Sequence, residues 1–288
     1  MKRLESWVDK NTESLVGKTV AVSGATGGLG RELCRRLCFL GASLVLVDRN
    51  RQRSLALIEQ LRLEFPSLSA QHVTLDLEDM DNVRRATEEL RETAPDYLVL
   101  NAGAYSIPRH KCSTGFDNVY QINFVSPYYI ARELLPEISA RGGRAVVVGS
   151  IAHDYSLSDP SDLDFSTRRA ASKVYGNAKR YLMYSLSGES AVSITHPGIA
   201  VTGITGHYPK VIYALIKHPM KVIFMSPKKA CLSILAGLFW DTSHGKWIGP
   251  RVFDVWGMPR LKSLETADTE EIATIRATAE SIYSQLKS

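Results

Sequence analysis

Short apolar runs rich in β-branched residues recur along this chain, and each is followed by a segment long enough for a helix. The runs are KTVAVS (18–23), SLVLVD (43–48), QHVTLD (71–76), DYLVLN (96–101), RAVVVGS (144–150), AVSITH (191–196) and WIGPRVFDV (247–255). Between them lie segments such as GRELCRRLCFLG (30–41) and DNVRRATEELRETA (81–94). A strand that is apolar at consecutive positions must be covered on both faces. Alternation with helices therefore specifies an α/β chain: a doubly wound parallel sheet of about seven strands, flanked by helices and joined by right-handed crossovers. No linker, repeat or low-complexity stretch marks a second unit, so residues 1–288 read as a single domain. Two regions stand apart. Residues 202–240 read as an apolar, lysine-dotted insertion between the sixth and seventh strands, a candidate substrate lid. Residues 269–286 read as a terminal helix capped by Thr269, with Ile272, Ile275, Ile282 and Leu286 on one stripe. That stripe docks on the chain's own core or, alternatively, forms a subunit contact.

Composition excludes several classes of function. The net charge of +5 (pI ≈ 8.9) is mild and spread along the chain, so it does not point to nucleic acid. The first residues, MKRLESWVDKNTESLVG, are interrupted by Glu5, Asp9 and Lys10 and do not make a signal peptide. No run reaches the roughly 18 apolar residues of a spanning helix. Cys34, Cys38, Cys112 and Cys231 have no metal-ligand spacing, and Cys34 and Cys38 share a helix face, so buried thiols in a reducing cytoplasm are expected.

One turn carries a binding signal. TVAVSGATGGLGREL (19–33) follows a strand and opens a helix, with Gly24, Gly28 and Gly30 spaced G-x-x-x-G-x-G. Such a turn offers free backbone N–H groups and the positive end of a helix to a pyrophosphate. Asp48, eighteen residues after Gly30, ends the next strand, where an acid accepts hydrogen bonds from ribose hydroxyls. A carboxylate there repels a 2′-phosphate and favours NAD. The neighbouring Arg49 can pair with that phosphate, so NADP is not excluded. Asp48 could also merely start a turn.

Further along, LDL (75–77), NAG (101–103), QINFVSPYYI (121–130), VVVGS (146–150), YGNAK (175–179) and HPGIAVT (196–202) follow in order. Together with SGATGGLG (23–30), these pieces resemble the short-chain dehydrogenase/reductase family across almost the whole chain, with Ser23 in place of the usual threonine. The spacing of twenty-five residues from Ser150 to Tyr175, and the GSIAHD segment, are similar to the retinol-dehydrogenase-like branch. The resemblance implies a Rossmann-type fold, a nicotinamide dinucleotide cofactor and a small-molecule alcohol or carbonyl substrate. It implies Asn123, Ser150, Tyr175 and Lys179 as catalytic residues. The cofactor contacts it implies are Ser23, Gly24, Thr26, Gly28, Leu29, Gly30, Asp48, Arg49, Asp76, Leu77, Asn101, Ala102, Gly103, Tyr175, Lys179, Pro197, Gly198 and Thr202. Ala178 and Gly149 depart from the usual serines, and VFDVWGMPR (252–260) departs from the usual ending, so the substrate pocket is expected to differ.

The chemistry expected of Tyr175 and Lys179 follows from their spacing. Residues four apart share a helix face. A phenol of pKa about 10 is a poor base near neutrality, and a nearby ammonium would lower it. Ser150 would hold the substrate oxygen, and Asn123 would order a water relaying protons from Lys179. Taken alone, Tyr175 and Lys179 could be a core tyrosine with a snorkelling lysine; Tyr181 and Tyr184 are expected to be packing residues. His153, Asp154, Asp159, Asp162 and Asp164 read as a solvated loop rather than a metal site. The competing function is a dinucleotide-binding sensor or scaffold without turnover. Residues 208–230, where Lys210, Lys217, Lys221, Lys228 and Lys229 interleave with apolar residues, admit peripheral membrane contact as a second reading, and suggest an apolar or bulky substrate. A homo-oligomer is a further expectation from the resemblance.

Overall fold

The computed structural model describes residues 2–199, 225–243 and 245–287. Their eight strands form one sheet in the order β3-β2-β1-β4-β5-β6-β7-β8. The strands are β1 (Thr19–Ser23), β2 (Ser43–Asp48), β3 (Ala70–Thr74), β4 (Tyr97–Leu100), β5 (Arg144–Val148), β6 (Val192–Thr195), β7 (Lys246–Val252) and β8 (Trp256–Ser263). The first seven run parallel, as expected, and β8 is antiparallel to β7. The last run was expected as a single strand over 247–255. It ends instead at Val252, because Phe253 and Asp254 adopt positive φ (49° and 55°) and turn the chain back. The returning strand can carry Pro259, opposite Pro250, because it lies at the sheet edge.

Alternation along each strand builds two cores. Ala21, Val45, Val47, Leu98, Leu100, Ala145 and Val147 face one layer. Their neighbours Val20, Val22, Leu44, Leu46, Val99, Val146 and Val148 face the other. Helices α4 (Met80–Glu92), α6 (Ser126–Ala140), α7 (Ala171–Leu186) and α9 (Thr269–Lys287) cover the first layer. Helices α1 (Lys2–Asn11), α2 (Gly28–Phe39), α3 (Arg51–Glu64) and α8 (Pro227–Ala236) cover the second. A short helix, α5 (Asn118–Tyr120), leads into α6 through one π turn, Gln121–Val125. Cys34, Cys38 and Cys231 are buried free thiols, with Cys231 on α8 facing the layer that contains α2.

Three expectations need correction. Residues 227–236 are not part of a lid: α8 buries Cys231, Leu232, Ile234 and Leu235, because ACLSILA is apolar enough to be enclosed as a core helix. Residues 202–224 of that segment, with Thr202, Lys210, Lys217 and Lys221, lie outside the described residues. The cap of α9 is Asp268 rather than Thr269, since the Asp268 carboxylate accepts from the Glu271 backbone N–H at 2.8 Å. The loop after β5 is not simply solvated either. Asp162 is buried and accepts from Ser166, Thr167 and Arg168, and the Thr167 hydroxyl, then Arg168, hold its carboxyl well below the usual range. His153, in a short 3₁₀ turn (Ile151–Tyr155), is also buried.

The stripe on α9 docks on the chain's own core, through buried Ile275, Ala279 and Ile282 with Ile272 and Leu286 at its margin. An ion pair reinforces this contact. The Arg180 guanidinium, on α7, is 1% exposed and donates to Glu271 through Nε (2.7 Å) and Nη2 (2.5 Å). Burial alone would raise the Glu271 pKa, but hydrogen bonds from Arg180 and Ser158 outweigh it and bring it to about 2. A carboxylate depressed in the folded state contributes stability above its unfolded pKa and loses it as pH falls through the folded value. Glu271→Gln should therefore cost about 3 kcal/mol near neutrality by leaving Arg180 unpaired. Urea midpoints measured against pH should show that difference shrinking below an ordinary carboxylate pKa and closing near the depressed value.

Candidate active site

The strand order reverses between β1 and β4, and the C-terminal ends of the central strands open there into a crevice. Ser23 ends β1, Asp48 ends β2, Asn101 follows β4, Ser150 follows β5, and Pro197 and Gly198 follow β6. One edge thus collects residues that are far apart in sequence. A cavity of about 510 Å³ runs along it, lined by Gly24, Asp48, Arg49, Asp76, Leu77, Ala102 and Gly103 among others.

Ser23 is buried and bonded to the segment after β4. Its hydroxyl accepts from the N–H groups of Asn101 and Ala102, both at 3.0 Å, and lies 3.3 Å from the Val99 carbonyl. The Asn101 amide returns to the Ser23 and Gly24 carbonyls at 2.9 and 3.2 Å. The glycine turn is closed just as tightly. A Cβ on Gly30 would lie 2.2 Å from the Gly24 carbonyl oxygen, so α2 can begin this close to β1 only with glycine there. The first helical residues are Gly28 and Leu29. Asp48 is 8% exposed and accepts from the Thr26 N–H and hydroxyl and from Ser54. Burial raises its pKa, against those hydrogen bonds. Arg49 is exposed and reaches Asp76 at 4.0 Å across the cavity mouth.

At the other end, α7 presents Tyr175 and Lys179. Burial pushes the pKa of the Tyr175 phenol up to about 12, against a smaller lowering by the nearby Ser150 side chain. Burial also lowers Lys179 to about 8. The Lys179 ammonium donates to the Val148 carbonyl at 2.9 Å and lies 5.8 Å from the centre of the Tyr175 ring. The expected lowering of the phenol by this lysine is therefore not present: with both groups desolvated, the ammonium is held by a carbonyl. Asn123 is fully buried within the π turn. Its amide donates to the Ala104 and Val119 carbonyls, both at 2.8 Å, and its oxygen accepts from the Ala104 N–H at 3.2 Å. Such single π turns recur at functional sites because they turn one side chain out of the helical register. Gly103 sits against this group: a Cβ there would lie 2.7 Å from the Asn123 oxygen and 3.5 Å from the Lys179 ammonium. Gly198, with φ +80°, would carry a Cβ only 2.5 Å from Met225. The structure thus gathers Asn123, Gly103, Ser150, Tyr175 and Lys179, and separately Gly24, Asp48, Arg49 and Asp76, along one cleft.

A family model described as short chain dehydrogenase matches residues 18–160. The chain belongs to the short-chain dehydrogenase/reductase family. It is 36% identical over 155 residues to the short chain dehydrogenase rstn4 of Aspergillus nomiae, covering 50% of this chain and 42% of that protein. It is 27% identical to polyprenol dehydrogenase of Mus musculus (76% of this chain, 70% of that protein). It is 29% identical to retinol dehydrogenase 14 of Mus musculus (77% and 76%). The chain thus spans less than half the length of the fungal relative. Among solved structures, an uncharacterised protein from Mycobacterium Paratuberculosis superposes with TM-score 0.74 at 22% identity, covering 96% of each chain. A short-chain dehydrogenase from Sphingobium yanoikuyae in complex with NADPH superposes with TM-score 0.59 at 23% identity, covering 76% and 83%. At these identities the structures share the fold.

Two residues of this dehydrogenase-family site escaped the sequence reading. Tyr105 packs edge-on against Tyr175, with ring centres 5.2 Å apart, and no motif marks it. His153 holds the Ser150 carbonyl through Nδ1 at 2.6 Å and packs edge-on against Trp247. Its pKa is lowered by burial, so it is neutral. GSIAHD contained the signal, since a histidine three residues after Ser150 can fold back onto its carbonyl within a single tight turn. Gly103→Ala should crowd Asn123 and Lys179 at the mouth of the cleft. We expect dinucleotide affinity, followed by nicotinamide fluorescence, to fall about tenfold, the scale of overpacking by one methyl group, with circular dichroism unchanged.

Proposed function

We propose that this chain interconverts an alcohol and a carbonyl with a nicotinamide dinucleotide, using Tyr175 as general acid and base. The observation that carries the reading is that Ser150, just after β5, acts electrostatically on the Tyr175 phenol, with Lys179 one helical turn on and beside Gly103. The cleft fits such a cofactor. Gly24 and Gly103 line the cavity as bare backbone, where a Cβ would meet Ala102 at 3.0 Å and Asn123 at 2.7 Å, and Asp48 stands where a ribose would end. Gly24, Thr26, Gly28, Leu29, Gly30, Ala102 and Gly103 would cradle the dinucleotide, with Ser23 and Asn101 holding their backbone in place. Leu77 and Asp76 would flank the adenine, and Pro197, Gly198 and Thr202 would meet the nicotinamide end. When bound, the nicotinamide supplies or accepts the hydride.

The chain's own residues manage the proton. A phenol near 12 stays protonated through neutral pH, which suits donation to the alkoxide formed in carbonyl reduction. In alcohol oxidation, Lys179 must stabilise the phenolate, and at about 8 its ammonium remains largely charged near neutrality. Ser150 holds the substrate oxygen between its hydroxyl and the phenol. Asn123 fixes the loop past which water reaches Lys179. We assign NAD as the preferred cofactor, because Asp48 is buried at the cavity wall whereas Arg49 is exposed and paired with Asp76. The assigned substrate is an apolar or bulky alcohol or its carbonyl. The aromatic edge of Tyr105 beside the phenol supports this, as do relatives named for polyprenol and retinol.

Tyr175→Phe should keep dinucleotide affinity within about twofold and lower turnover by at least about a hundredfold, the usual worth of a general acid. Retained turnover in that variant would remove Tyr175 from the mechanism. A long isoprenoid alcohol should be oxidised in preference to a small polyol, and the reverse order would overturn the substrate assignment. Asp48→Ala should weaken NADH binding more than NADPH binding, read as the ratio of the two dissociation constants; an unchanged ratio would take Asp48 out of the ribose site.

A further inference from the structure

At the adenine end of the cleft, three side chains with different metal-binding donors converge. Glu78 lies in the loop between β3 and α4, and His110 and Cys112 lie in the segment between β4 and α5. Their donor atoms all lie within 4.8 Å of one another, and His110 Nε2 is 3.0 Å from a Glu78 carboxylate oxygen. Donors around one tetrahedral zinc ion sit roughly 3.4–3.8 Å apart, given bonds of about 2.0–2.3 Å. The three therefore need to close by only about 1 Å.

The backbone beneath them is already fixed. An isolated bridge pairs Lys111 with Asp117, so His110 and Cys112, on either side of Lys111, project to the same face. The Cys112 N–H donates to the Phe116 carbonyl at 2.9 Å. The Asn118 N–H donates to the His110 carbonyl at 2.9 Å, and the His110 N–H donates back to the Asn118 side chain at 3.2 Å. On the other loop, the Glu78 N–H is held by Asp76 at 3.1 Å and its carbonyl accepts from buried Gln121 at 2.7 Å. A carboxylate, an imidazole and a thiolate form a borderline-soft set that suits Zn²⁺ or Co²⁺ and not Mg²⁺ or Ca²⁺.

The geometry points to a divalent transition-metal site formed by Glu78, His110 and Cys112, which clips the segment before α5 to the loop before α4 at the rim of the cleft. Zn²⁺ would take these three ligands and a water. The site differs from the Tyr175 centre in residues and in chemistry, and it stands whether or not the chain turns over an alcohol.

Titration of the full-length, reduced protein with Co²⁺ tests it. The other thiols among the described residues, Cys34, Cys38 and Cys231, are buried, so a thiolate-to-cobalt charge-transfer band reports Cys112. We expect one equivalent of Co²⁺ with that band, displaced by Zn²⁺. Cys112→Ser should abolish the band. His110→Ala, at an exposed position, should weaken Co²⁺ at least tenfold without unfolding the chain. Zn²⁺ at about 100 times its dissociation constant should raise Tm in the wild type and leave Cys112→Ser unmoved, as expected of an ion that binds only the folded state. No thiolate band, or a band that survives Cys112→Ser, would overturn the site and leave Glu78 and His110 as a simple hydrogen-bonded pair.

Discussion

The Ser23 hydroxyl ties the end of β1 to the segment after β4, at the point where the crevice opens. Where the strand order reverses, β1 and β4 are neighbours whose following turns part in opposite directions. A parallel ladder gives out at that point, and the N–H groups beyond it turn to other acceptors. Ser23 accepts from two of them, and the Asn101 amide closes the return path to the Ser23 and Gly24 carbonyls. The glycine turn, the segment carrying Gly103 and the π turn carrying Asn123 are all referred to this junction. Hydrogen bonds within the protein therefore join the segments that border the cleft.

Burial sets the ionisation of Tyr175 and Lys179 on α7. Desolvation favours the neutral form of both groups, so the phenol rises and the ammonium falls. The pair is consequently mismatched for base chemistry until other charges arrive. A carbonyl, not the phenol, holds the lysine. His153, whose pKa is lowered by burial, holds the Ser150 carbonyl through Nδ1.

Much of this was legible in the sequence. The order of apolar runs dictated a covered parallel sheet, and G-x-x-x-G-x-G, NAG and Y-x-x-x-K fell on its C-terminal edge, where such folds bind ligands. The misreadings share a cause. WIGPRVFDV looked like one strand because positive φ at Phe253 and Asp254 occurs without glycine. The stretch 227–236 was read with its lysine-rich flank, although its own residues are apolar enough for a core helix. Asp162 and His153 looked solvated because a loop that folds around one carboxylate has the same composition as a loop in water. The Glu78, His110 and Cys112 cluster had no spacing to find, since one ligand comes from a different loop more than thirty residues away.

The ion pair between Arg180 and Glu271 carries a consequence for how the molecule is made. Arg180 follows Lys179 directly on α7, and its charge is enclosed only when α9 lies across it. Tyr128 and Tyr283 likewise find carboxylate partners, Glu280 and Glu133, across the contact between α6 and α9. A chain emerging from the ribosome therefore exposes a naked guanidinium and an uncovered apolar face on α7 until residue 271 and those after it have been synthesised. Helix α7 is therefore enclosed only after α9 has been made, so a nascent chain that stalls after β8 carries the sequence of that helix without the contact that buries it.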